Sequence, residues 1–311
     1  MLSSPAAYAA DNSTGLQYSV AADLVGKLGA KKIQNPPADR DRLLAREAEL
    51  VFCGPVDHTF DAMVSGAAHF ESGESNFELH EAYVGTSKLI PRSRIKLGKF
   101  FLGMGRLNRL HRHDWPFTSA PRVHETFFAE EAADDTGLEY GYLLPLPFYL
   151  DLSLGVTSGH TFGHSHSAGK RPLMPTHYGR LSTYADLFEQ AGLEIGLNYL
   201  GRKSDQNLET NLYGFDLMGK LRDGKTIRFM LQHETWLRHE RNAARVLEKK
   251  IGTYTFPQYG FNPHWLAGIR FDSFSHMNKI NALTLQREKN VYWTVVPTIT
   301  YKHSEFTIFR T

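Results

Sequence analysis

Apolar and polar residues alternate along most of this chain. In Asp151-Leu152-Ser153-Leu154-Gly155-Val156-Thr157, Leu152, Leu154 and Val156 share one face and Asp151, Ser153 and Thr157 the other. The pattern recurs with Leu193, Ile195, Leu197 and Tyr199 against Glu194, Gly196 and Asn198. Ile227, Phe229 and Leu231 oppose Arg228, Met230 and Gln232, and Trp265, Ala267, Ile269 and Phe271 oppose Gly268, Arg270 and Asp272. Near the N-terminus, Phe60, Ala62, Val64, Ala68 and Phe70 oppose Asp61, Ser65, His69 and Glu71. A period of two predicts strands with unlike faces. Phe77 to Val84 mixes its faces and leaves the phase open. Alternation alone suits a soluble sandwich as well as a lipid-facing sheet.

Link lengths separate the two. Strands are predicted near 16–26, 42–53, 58–71, 77–86, 93–101, 137–144, 148–159, 176–188, 192–202, 210–222, 225–237, 250–260, 264–274, 290–302 and 304–311. Every second link is short: 54–57, 87–92, 145–147, 189–191, 223–224, 261–263 and 303. The others are mostly longer, including 27–41, 102–136, 160–175, 238–249 and 275–289. Short turns on one rim and long loops on the other mark outer-membrane barrels, and a periplasmic N-terminus puts every short link in the periplasm. Many of the strands have the length a tilted strand needs to cross a bilayer. Aromatic residues gather near strand ends, as at Tyr140, Tyr142, Tyr149, Tyr254, Tyr259, Tyr292 and Trp293, where interfacial girdles need them.

The expected fold is therefore all-β, a transmembrane antiparallel up-and-down β-barrel. Such barrels close with an even number of strands, and unpaired edge amides in lipid cost several kcal/mol each. Fifteen candidate strands thus imply about sixteen in the full-length protein, with the last one missing after Thr311. Ala7-Tyr8-Ala9 before Ala10-Asp11 has the look of a secretory cleavage site. Residues 1–9 are read as a signal-peptide remnant, and 10–311 as a single transmembrane barrel domain in the bacterial outer membrane.

Composition narrows the function classes. The formal charge of the 311 residues is +2, which offers no basic field for nucleic acid. A single cysteine, Cys53, rules out a disulfide framework or a Cys-based zinc site. No run of 18 apolar residues exists, so no helix spans a membrane. His-Glu pairs such as His80-Glu81 and His233-Glu234 never extend to H-E-x-x-H, and no G-x-S-x-G elbow is present. The chain is not read as an enzyme.

From Arg94 to Gly159 the residues are distinctive. They include Gly98-Lys99-Phe100-Phe101, then Gly105-Arg106-Leu107-Asn108-Arg109-Leu110-His111-Arg112-His113-Asp114-Trp115-Pro116-Phe117. Phe127-Phe128-Ala129-Glu130-Glu131, Thr136-Gly137-Leu138-Glu139 and Leu143-Leu144-Pro145-Leu146-Pro147 follow. This region resembles a proteobacterial outer-membrane β-barrel family described as zinc-regulated outer-membrane receptors or porins. The resemblance implies a barrel whose terminal strand is present, so the end at Thr311 departs from it. Strands begin near Leu16, leaving no separate plug domain of the kind energised receptors carry, which favours a passive channel.

Two loops carry the candidate chemistry. The 102–136 link is too long for a hairpin, and long loops usually have a function. Its charges are polarised: Arg106, Arg109 and Arg112 come first, and Glu130, Glu131 and Asp134 later. Folded into the lumen, it would form a pore constriction with opposed charges that filter solutes by width and field. The bland alternative is a solvated surface loop. Glu47, Glu49, Asp61, Glu71, Asp151, Glu194, Arg228, Glu234 and Arg270 are expected to line the lumen. Histidines cluster in the same loop and the next: His111 and His113 with Asp114, then His160, His164 and His166. Imidazoles with a carboxylate can hold zinc, although hydrated or pH-sensitive loop histidines have the same spacing. No cofactor is required; zinc is the candidate ion. Partners expected are outer-membrane lipid and lipopolysaccharide, small hydrophilic solutes or ions, and further copies of the chain. The leading function is a porin-like channel; the rivals are a metal-capturing surface receptor and a non-conducting scaffold.

Overall fold

The computed structural model describes residues 15–26, 43–71, 74–128, 132–160, 172–224, 226–243, 247–280 and 287–311. The expected signal remnant at 1–9, and Glu130, Glu131, His164 and His166, lie outside the described residues. Fifteen strands follow one another, each hydrogen-bonded antiparallel to its sequence neighbour. They are β1 Gln17–Gly26, β2 Leu43–Pro55, β3 Asp61–Glu71, β4 Glu74–Thr86 and β5 Ser93–Phe101. After the long link come β6 Asp134–Leu143, β7 Tyr149–Thr157, β8 Met174–Phe188, β9 Ala191–Lys203 and β10 Glu209–Asp223. The sheet continues through β11 Thr226–Arg241, β12 Leu247–Gly260, β13 Trp265–Ile280, β14 Arg287–Lys302 and the three-residue β15 Ile308–Arg310.

Order and alternation are those expected from the sequence, and the differences lie at the ends. β11 to β14 run several residues further towards the long-link rim than predicted. Their connections shrink to 242–246 and 281–286. Cross-strand pairing continues there, as in Arg241 opposite Leu247 and Ile280 opposite Arg287, although the residues turn more polar; backbone ladders extend past the apolar band. Among the described residues no ladder joins β15 to β1.

The outer face is apolar. Val20, Leu50, Val64, Leu97, Leu154, Val156, Leu197 and Ile299 all stand exposed between the rims, as lipid contact requires. Aromatics mark both edges. Tyr149, Phe188, Tyr259, Trp265 and Phe309 ring the short-link side, and Phe77, Tyr199, Tyr213 and Trp293 the other.

Two bulges re-aim side chains inward. Ser65 pairs with Glu81 and Gly66 with Leu79, which leaves His80 as an extra residue in β4. The phase flips there. Phe77 and Leu79 are exposed, the consecutive His80 and Glu81 are both buried, and Val84 is exposed again. The mixed faces of Phe77 to Val84 are the sequence trace of this bulge, because an inserted residue exchanges inside for outside. A second bulge makes Arg46 the extra residue in β2, opposite Asp23 and Leu24.

Candidate pore constriction

The buried apolar cluster lies inside the sheet, and the link 102–133 supplies half of it. Leu102, Met104, Leu107, Trp115, Phe117, Val123, Phe127 and Phe128 pack with Leu200, Leu212, Met218, Met230, Trp236, Tyr254, Phe256 and Phe274 of the wall. The loop therefore fills the lumen. It enters through a neck tied by Asn108, whose Nδ2 donates to Leu102 O (2.8 Å) and whose Oδ1 accepts from Ala133 N (2.6 Å). Burying an amide with these partners avoids the penalty of unpaired polar groups. Gly105 adopts φ +63° and donates its N–H to Asn198 Oδ1 at 2.8 Å. A Cβ there would come within 2.8 Å of Trp236 and Glu234 Oε2, so glycine alone suits this approach.

Beyond the neck the loop divides. Its first part has short 3-10 turns at Leu107–Arg109 and Arg112–Asp114 and is rich in charge. Arg106 Nη1 lies 3.2 Å and Arg109 Nη2 3.5 Å from the Glu194 carboxylate. Arg180 joins both Glu194 (3.0 Å) and Asp216 (2.7 Å), and Asn198 Nδ2 donates to Asp216. Its second part carries the short helix α1 Arg122–Phe128 and is held by aromatic contacts. Phe117 meets Tyr254 and Phe256 edge-on at 5.8 and 5.4 Å between centroids, and Phe128 meets Trp236 at 4.7 Å. The Arg270 guanidinium sits 4.4 Å from the Phe117 ring centre, pairs with Asp272 and donates to Ser119. Arg46 donates to Thr118 O (2.9 Å) and Arg310 to His113 O (3.1 Å). Strands from both ends of the sheet thus grip the same loop.

Two cavities flank Arg109 and Glu194. One of about 380 Å3 is lined by Arg106, Arg109, Lys220, Arg222, Lys302 and Arg310, with Asp114 and Glu194 as its acids. The other, about 270 Å3, has four basic residues, Arg94, Lys96, Arg109 and Arg180, against Glu81, Glu139, Asp151 and Glu194. The first cavity is strongly basic; the second is balanced.

A third feature is a row of histidines and carboxylates between the loop, β2 and β4. His111 Nδ1 lies 2.9 Å from Glu49 Oε1 and its Nε2 3.4 Å from Glu81 Oε2. His80 Nδ1 is 3.5 Å from Glu49 Oε1, and His113 Nδ1 is 3.4 Å from Glu49 Oε2. Burial pushes the His111 imidazole down, but the Glu49 and Glu81 carboxylates beside it raise its pKa to about 10.

No protein-family model matches the chain. An uncharacterized protein of Aquifex aeolicus (strain VF5) is 29% identical over 254 residues, which cover 72% of this chain and 53% of that protein. The chain thus matches about half the length of this curated relative. Among solved structures, the anion-selective porin from Comamonas acidovorans superposes with a TM-score of 0.59 at 10% identity, over 94% of this chain and 87% of that one. The outer membrane channel DcaP of Acinetobacter baumannii gives 0.59 at 10% identity, over 95% and 89%. Salmonella typhi OmpF in complex with daunomycin gives 0.56 at 12% identity, over 93% and 86%. The chain has the outer-membrane porin fold.

Within this porin fold the expected site residues are distributed unevenly. Arg106 and Arg109 meet in the lumen, but the acids facing them are Glu194 and Asp216 of the wall. Asp134 does not oppose the arginines: it opens β6 and pairs with Lys99 at 2.7 Å. Residues 134–136 belong to that strand, which shortens the loop from the expected 102–136. Arg112 lies beside the histidine row, half-buried. Of the expected lining, Glu47, Glu49, Asp151, Glu234 and Arg270 are buried inside, and Glu194 and Asp61 are half-buried. Several hold the loop rather than face water. Glu234 accepts from Leu107 N, Trp236 Nε1 and Tyr254 Oη at 2.9, 2.9 and 2.8 Å. Arg228 departs from the expected placement. It is the extra residue of a bulge in β11 and is bonded to Asp223 and to Phe261 O at the short-link rim. The Glu71 side chain lies outside the described part of the structure. Among the metal candidates, His111 and His113 stack at 5.7 Å, with Asp114 3.7 Å from His113. Exposed His160 makes no ion pair or ring contact with them among the described residues. Lys220, Lys302 and Arg310 were missed from sequence. Lys220 lies in a strand with clear alternation, on the face opposite Leu221, and that phase could have found it.

Proposed function

We propose that this chain forms a porin-like channel of the bacterial outer membrane for passive diffusion of small hydrophilic solutes, with the inward loop as its constriction and a preference for anions. The observation that carries the reading is the basic cavity beside the loop, where six cationic side chains face Asp114 and Glu194. In a narrow space with low-dielectric walls such an imbalance concentrates counter-ions. A lipid-facing apolar belt between two aromatic girdles supports the location, and the likeness to a porin named as anion-selective agrees with the sign.

The test is the reversal potential of the full chain across a planar bilayer in a potassium chloride gradient. Anion preference is expected, and Arg106→Ser with Arg109→Ser should move it towards cations, most at low salt where screening is least. Cation preference in the parent, or a reversal potential the double variant leaves in place, would overturn the assigned constriction. A chain that inserts but never conducts would overturn the channel and favour the scaffold.

A further inference from the structure

We propose that Glu49, His80 and His111 bind one divalent transition-metal ion of the zinc type inside the barrel. The ion would join three separate elements, β2, the bulge of β4 and the inward loop, so that it fastens the loop to the wall. This site shares His111 with the set expected from sequence but replaces His160, His164 and His166 by Glu49 and His80 of the wall, and binding at it requires no conduction.

Geometry carries the inference. One ligand atom from each of the three residues lies within 4.8 Å of the others. Glu49 Oε1 is 2.9 Å from His111 Nδ1 and 3.5 Å from His80 Nδ1. Two ligands held 2.0 Å from a tetrahedral zinc stand roughly 3.3 Å apart, close to both separations. His113 Nδ1 lies 3.4 Å from the other carboxylate oxygen, Glu49 Oε2.

Unsatisfied polar atoms point the same way. Glu49 is fully buried and the His111 side chain is 4% exposed. Despite the short approaches, neither carboxylate oxygen of Glu49 and neither ring nitrogen of His111 has an aligned hydrogen bond. Buried polar groups without such partners are costly, and an ion bonded to Oε1 and Nδ1, displacing the imidazolium proton to solvent, would satisfy one atom of each. Behind that ion, Glu81 Oε2 lies 3.4 Å from His111 Nε2, and His69 Nε2 lies 3.2 Å from His80 Nε2. Each imidazole ligand thus has a polar group at its other nitrogen, the support that metal-bound histidines need. A donor set of imidazoles and a carboxylate favours zinc, nickel or iron over magnesium or calcium. The bulge has a function in this reading: without it His80 and Glu81 would face opposite sides.

The experiment is a zinc titration by calorimetry of the full chain in detergent micelles after dialysis against a chelator. One zinc per chain is expected, and X-ray absorption should show nitrogen and oxygen at about 2.0 Å with imidazole scattering. His80→Gln and His111→Gln should each weaken binding by at least about tenfold, while His80→Cys, which keeps a ligand, should recover much of it. The triple variant His160→Ala, His164→Ala, His166→Ala should bind as the parent does. A heat-dependent shift in gel migration, the same as the parent's, confirms that each variant is folded. No stoichiometric binding in the parent, binding indifferent to His80→Gln and His111→Gln, or binding lost in the triple variant would overturn the site.

Discussion

The two parts of the inward loop sit in one lumen but are held by different physics. Residues 115–128 present Trp115, Phe117, Phe127 and Phe128 to the aromatic side chains of β11 to β13, all nearly without exposure. Residues 106–114 present arginines to Glu194 and histidines to Glu49 and Glu81. Apolar burial stabilises in proportion to the area removed from water and, unlike a charge pair, is not screened by salt. The ion pairs must offset the desolvation of both partners, so their net contribution is smaller and depends on completeness. The apolar part is thus the anchor, and the charged part contributes less to holding the loop in place.

The largest test of that division is Trp115→Ala. Removing a fully buried indole should cost about 3–5 kcal/mol of loop docking, seen as new proteolytic cleavage within 102–133 and as conductance fluctuation while the barrel stays folded. An undisturbed loop would show that the charged part suffices to hold it. A smaller effect comes from the wall itself, where lipid replaces the loop as the neighbour. Leu154→Arg on the lipid face should destabilise by about 2–4 kcal/mol near the midplane, and Ser153→Arg on the lumen face far less. Equal costs in urea unfolding from vesicles would reverse the assigned faces. The smallest change in loop docking is expected for Arg106→Ser with Arg109→Ser. If the anchor dominates, their protease susceptibility should rise less than that of Trp115→Ala, because Arg180 still pairs with the Glu194 left behind, even as ion preference shifts. Extensive cleavage in that variant would place the anchor in the charges instead.

The alternation that pairs Leu154 with the lipid and Ser153 with the lumen is a local property, and so are the short and long links. Strand number and order were therefore legible in the chain, and the extent of the long link to within three residues, as was the aromatic load that makes 115–128 expensive to leave in water. The apparent disorder of phase at Phe77 to Val84 was legible only as a gap. A bulge is defined by the register against β3, where Glu81 and Leu79 take adjacent partners, and one strand's sequence does not contain its register.

Pairings across the lumen were not legible at all. Arg106 meets Glu194, 88 residues away, whereas the nearby acid Asp134 turns to Lys99. Charge sign and abundance were present in the sequence, but which charges face each other depends on the curvature of the sheet and on where an irregular loop comes to rest. The same holds for the histidines. His111 and His113 stood out by spacing, yet Glu49 and His80 reach them only because separate strands and one inserted residue converge there. The chain by itself determined a sheet with one oily face and one loop too apolar to stay in water, because those follow from period and composition. Only the tertiary structure decided what that loop touches, because contacts between residues far apart in sequence are set by strand register and packing.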